Sequence, residues 1–150
     1  MIRIKAYHGS LDKFDRIDLS KSYDIGFHCG TYKQAMRRIF DCHGKKWNKN
    51  KFIYLVDIEI NENEIVDIGE DIFQCVFYNN CRTLCDLLNE RCSRIRFGRK
   101  NFYSYYDIRC KLRKNGIRVL SYDNDVEGKG KSYIILDDTI PITEINHLNK

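Results

Sequence analysis

The sequence predicts an α+β fold, and three observations predict it. Residues 1–7 and 52–60 alternate apolar and polar side chains with the two-residue period of half-buried strands. Between them, Thr31 and Gln34 stand three apart at the head of a helical pattern. Further on, residues 117–122 and 132–136 are two apolar runs separated by a polar loop with two glycines, a hairpin-like return. At 150 residues, with 43% apolar and 13% aromatic side chains, the chain has material for one domain with a core of its own. No repeat, low-complexity tract or linker divides residues 1–150, so they are read as a single domain.

In residues 1–7, Ile2, Ile4 and Ala6 fall on one face and Arg3 and Lys5 on the other. The run ends in Tyr7, His8, Gly9 and Ser10, which is how a strand delivers a side chain to a pocket. Gly9 removes a Cβ where the chain is expected to turn, opening its backbone to a ligand. The plainer reading of His8 is a histidine that ends a strand and bonds a neighbouring carbonyl. Residues 11–23 set Leu11, Phe14, Ile17 and Leu19 among polar residues, a loop pinned at a few points and expected to lie over whatever His8 faces. A short strand bracketed by Gly26 and Gly30 follows, carrying Phe27, His28 and Cys29.

A helix starts at Thr31, where the Gln34 spacing fits a capping box. Ala35, Met36, Ile39 and Phe40 make its apolar stripe opposite Lys33, Arg37 and Arg38, and Gly44 should stop it. Free N–H groups at a helix start make this junction a candidate anion- or amide-binding point. After a lysine-rich loop, the strand 52–60 puts Phe52, Tyr54, Val56, Ile58 and Ile60 on one face and Asp57 and Glu59 on the other. Residues 61–63 turn it and 65–68 are a short extended piece. Residues 70–92 read as helical with a break at Asn79 and Asn80, 94–101 as a basic loop, and 103–115 as a helix closed by Gly116. Residues 140–145 are a last, edge-like strand.

No run approaches the length of a membrane span, and Arg3 and Lys5 interrupt what would be a signal peptide's apolar core. A cytoplasmic protein with no membrane partner is expected. The seven cysteines are odd in number, so reduced thiols are expected, and neither a Cys-x-x-Cys pair nor a His-x3-His spacing argues for metal. Residues 91–118 hold ten Lys or Arg against one acid, Asp107, interleaved with Phe97, Phe102, Tyr103, Tyr105 and Tyr106. Such a segment is either a surface for phosphates, stacked bases or an acidic protein, or a solvated helix face with core tyrosines.

The order of these pieces resembles the NAD-dependent ADP-ribosyltransferases of the His-Tyr-Glu type, particularly the small ones of phages and mobile elements, including those of anti-CRISPR type. It runs from a strand into Tyr-His-Gly-Ser, through Gly-Phe-His-Cys-Gly-Thr opening a helix with Gln34 and Ala35, to the loop Asn124, Asp125, Val126, Glu127, Gly128 ahead of Ser132 and Tyr133. The resemblance covers most of the chain. It implies two small, mostly antiparallel sheets around an NAD cleft with flanking helices. It implies NAD as a substrate, His8 on the nicotinamide ribose, the Gly9 backbone on the carboxamide with Ser10 assisting, and Glu127 as the catalytic acid. Asp125 is the alternative acid, because some small phage transferases use an aspartate in this loop. Gly26, Phe27, His28, Thr31 and Tyr32 belong to the cofactor-binding set. His28 stands at the position of the family's nicotinamide-stacking tyrosine, a departure that Phe27 or Tyr32 could make good.

The expected reaction moves ADP-ribose from NAD to a host or defence protein, in the host-cell cytoplasm if the gene is phage-borne. Arg94, Arg96, Arg99 and Lys100 of the basic segment are the expected target-docking residues. One alternative is ADP-ribosylation of a nucleic acid, or 2′-phosphotransfer from RNA, although no set of arginines beside His8 is apparent in the sequence. A second is an inactive module that only binds NAD or a partner.

Overall fold

The computed structural model describes residues 1–22, 24–42, 50–69, 86, 88, 105–125 and 127–148. In chain order the regular elements are β1 (Ile2–Ser10), β2 (Phe27–Cys29), α1 (Tyr32–Arg37), β3 (Lys51–Ile60), β4 (Ile65–Gly69), α2 (Tyr105–Lys114), β5 (Val119–Asp123), β6 (Lys131–Ile135) and β7 (Ile142–Leu148). They form an α+β arrangement of two sheets, one ordered β1-β3-β7 and the other β2-β6-β5-β4. Among the described residues every strand pairing is antiparallel except that of β4 with β5.

The alternation in β1 and β3 decides how the sheets stack. Ala6, Val56 and Ile58 turn inward to meet Cys29, Val119 and Ile135 of the second sheet, and all six are buried. Removing a side chain such as Ile58 from water contributes roughly 1.5–3 kcal/mol. The other face of the second sheet presents Leu120, Tyr122 and Ile134 to Ile108 and Leu112, the apolar stripe of α2. Gly116 follows α2 with φ +82°, a left-handed residue just past the helix end as its sequence position predicts.

Among the described residues one backbone bridge joins the two sheets. Tyr7 and Gly30 exchange both backbone hydrogen bonds, at 2.7 and 2.8 Å, and beyond that point β1 and β2 diverge. His8 lies immediately past the bridge. Backbone polar groups alternate sides along a strand, so Gly9 turns its N–H and C=O to the same edge as Tyr7, here the side of the gap.

Two expectations need correction. The chain does not turn at Gly9, which pairs with Ile53 inside β1. The missing Cβ there makes room for the Ala35 carbonyl and the Ile39 side chain, so it serves the packing of α1. The regular helix ends at Arg37 and continues as a π turn over Arg38–Cys42, and its expected stop at Gly44 lies outside the described residues. A π turn holds an extra residue and shifts the faces that follow, which suits Ile39 packed on Ile53 beside Arg38 exposed. The last strand begins after Pro141, which has no N–H to give a ladder but accepts from the Asp57 N–H. Of the predicted helix 70–92 only Asp86 and Leu88 are described, both helical, with Leu88 in the core.

Candidate active site

A cleft of about 1330 Å³ opens where β1 and β2 part. It is lined by His8, Gly9 and Ser10 from β1, Gly26, Phe27 and His28 around β2, Arg38 after α1, and Asn124 and Glu127 from the β5–β6 loop. The loop after β1 lies over it. Phe14 stacks on Tyr54 at 4.2 Å, its N–H donates to the Tyr54 hydroxyl at 3.0 Å, and its ring meets His8 edge-on at 5.8 Å.

His8 is oriented by one short bond. Its Nδ1 lies 2.6 Å from the His28 carbonyl oxygen, and a carbonyl only accepts, so Nδ1 carries the proton and Nε2 of the neutral ring is the acceptor nitrogen. The bond to a neighbouring carbonyl expected of an ordinary histidine is therefore present, and it also sets the tautomer. Phe27 packs against the imidazole with ring centres 4.2 Å apart.

Glu127 is held from three directions. Arg38 donates to its Oε1 at 2.8 Å, the Asn124 amide approaches Oε2 at 3.4 Å, and the Glu127 N–H donates to Asn124 Oδ1 at 3.0 Å. Asn124 is itself buried and donates to Ser132 Oγ at 3.0 Å. Buried Gln34 then ties this loop to α1. Its Oε1 accepts from Thr31 N–H at 2.8 Å and from the Ser132 hydroxyl at 3.1 Å, while its Nε2 donates to the Gly128 carbonyl at 2.7 Å. The capping box legible in the sequence thus also fixes the height of Glu127 in the cleft.

His28 sits on the opposite face of β2 from Phe27. Its Nε2 donates to Asp24 Oδ2 at 3.0 Å, and its Nδ1 faces the Tyr122 hydroxyl at 3.1 Å. Burial works against the Asp24 carboxylate, but the hydrogen bonds it accepts from His28 and from the Ile25 N–H outweigh it and hold Asp24 below the usual carboxylate range. Asp24, His28 and Tyr122 all line the cleft. No known family model matches the chain, and neither does any curated protein or solved structure.

Of the residues singled out from the sequence, His8, Gly9, Ser10, Gly26, Phe27, His28 and Glu127 come together. Thr31, Tyr32 and Asp125 do not line the cleft. Tyr32 is exposed with its ring edge-on to Tyr7, and Asp125 points to solvent. At the helix start the capping box takes up two N–H groups, Gln34 Oε1 accepting from the Thr31 N–H and Thr31 Oγ1 from the Gln34 N–H. Arg94, Arg96, Arg99 and Lys100 lie outside the described residues. Arg38, Asn124, Ser132, Asp24 and Tyr122 were not chosen as site residues from the sequence, although the Asn-x-x-Glu spacing and the Ser-Tyr pair after it hinted at Asn124 and Ser132.

Proposed function

We propose that the chain transfers ADP-ribose from NAD to a macromolecular acceptor, most simply a host or defence protein, and releases nicotinamide. The observation that carries this reading is the meeting of His8 and Glu127, 119 positions apart in the sequence, in one cleft large enough for a dinucleotide. The donor set fits the group. Gly9 offers backbone N–H and C=O at the cleft edge for a carboxamide, His8 Nε2 accepts from a ribose hydroxyl, and Phe27 with Phe14 gives an aromatic wall. Glu127 supplies a carboxylate where positive charge grows on the ribose as nicotinamide leaves, and that charge makes it more useful in the transition state than in the ground state. Phe27, rather than Tyr32, is the ring in a position to make good the absent tyrosine.

The test is nicotinamide release from NAD by the purified chain. Glu127→Gln keeps the shape of the side chain and should slow release about 10²–10³-fold while NAD still binds. A Glu127→Gln protein that releases nicotinamide at the native rate would remove Glu127 from the chemistry.

The phosphotransfer alternative gains Arg16 and Arg38, which line the cleft together with Lys13 and Lys21. Three of these four cations already face carboxylates: Arg38 faces Glu127, Lys13 Glu144 and Lys21 Asp18. A concentrated phosphate site is thus less well supported than a dinucleotide site.

A further inference from the structure

Asp24, His28 and Tyr122 form a hydrogen-bonded chain that the reading above does not use. The carboxylate accepts from Nε2–H of His28, which leaves Nδ1 of the neutral ring to accept from the Tyr122 hydroxyl. Tyr122 lines the cleft on the same sheet face as Ser132, its partner in the β5–β6 register. The Asn124 and Glu127 loop follows directly from β5. Tyr105 of α2 also lines the cleft and feels the Asp24 charge. Burial and that charge push its hydroxyl up to about 12, so it stays protonated.

We propose that this chain is a proton relay serving the acceptor, and that the acceptor is therefore a neutral X–H group such as a hydroxyl rather than a carboxylate. The inference rests on the transferase reading. As X attacks the ribose carbon C1′, its proton passes to Tyr122 Oη while the Tyr122 proton moves to His28 Nδ1. The new bond is X–C1′. The bond that breaks is C1′–N, whose electron pair returns to the ring nitrogen and releases neutral nicotinamide. The imidazolium is held by Asp24 until it gives the proton to water. Tyr122 is the catalytic group here, and His28 and Asp24 act through it. A carboxylate acceptor carries no proton and would need none of them. Histidine in place of a stacking tyrosine then has a chemical use.

The experiment follows nicotinamide release and methyl ADP-ribose formation from NAD in buffer containing methanol, across pH 5 to 9, with and without sodium azide as a nucleophile that has no proton to remove. Tyr122→Phe keeps the ring in the core and removes only the hydroxyl. It should lower methanol transfer about a hundredfold and flatten its pH profile, while azide restores release to within about threefold of native. His28→Gln should behave alike. Native transfer and an unchanged pH profile in Tyr122→Phe would overturn the relay and leave the transferase reading standing. So would a loss that azide does not restore although NAD still binds. No release by the native chain with any nucleophile would overturn the transferase reading, and the relay with it.

Discussion

The Arg38–Glu127 pair sets the most direct prediction at the scale of single residues. Its guanidinium is half exposed, so the pair is worth at most about 1 kcal/mol to the fold. Arg38→Ala should leave the unfolding midpoint almost unchanged by urea titration. It should alter the KM for NAD instead, because the only cation bonded to the proposed catalytic carboxylate among the described residues has gone. A drop in stability of several kcal/mol would mean that the pair is structural. None of this was legible in the sequence. Arg38 and Glu127 are 89 positions apart, and so remote a pair leaves no periodic trace. His8 and Glu127 were legible only through the order of short motifs. Asp125 was expected from the family's use of an aspartate in this loop and Tyr32 as a ring for the absent tyrosine, but a loop and a helix surface turn adjacent residues in different directions.

At the scale of elements, local rules were enough where the signal is local. The alternation of β1 and β3, the Thr31–Gln34 capping box and the Gly116 stop all appear where the sequence puts them. Pairing was not legible: nothing local says that β7 borders β3 or that β4 runs parallel to β5. Gly9 was read for its missing side chain, but its neighbour across space is α1. Gln34 is where element and site meet. Gln34→Ala removes the acceptor of the buried Ser132 hydroxyl together with the partners of the Thr31 N–H and the Gly128 carbonyl, and an unpaired buried group costs about 1–3 kcal/mol. Urea unfolding should show a loss of roughly 2–4 kcal/mol for this change. Faster backbone amide exchange over residues 124–130 should accompany it, and unchanged exchange there would contradict the link between α1 and the Glu127 loop.

For the molecule as a whole, buried carboxylates set the response to acid. Burial opposes the Asp137 charge, but the Thr139 N–H and hydroxyl, Arg118 and Arg113 outweigh it and lower its pKa. A carboxylate depressed in the fold stabilises above its unfolded value, about 3.9, and that contribution is lost as pH falls through the folded value. Asp24 acts in the same direction. The native chain should therefore lose stability below about pH 4, and Asp137→Asn should be weaker at neutral pH with a flatter acid limb. The α+β class follows from apolar patterning that acts throughout the chain, whereas two sheets were expected only from the resemblance. No helix among the described residues is long and apolar enough to cross a membrane. The central claim is that the gap between the sheets splits NAD and passes on the ADP-ribose. Its most direct test is the fate of label from NAD in a host lysate, with native, Glu127→Gln and Asp125→Asn chains side by side. The account predicts nicotinamide release and a labelled macromolecule with the native and Asp125→Asn chains, and neither with Glu127→Gln. NAD bound intact by the native chain, with no nicotinamide released, would contradict it and leave a binding module.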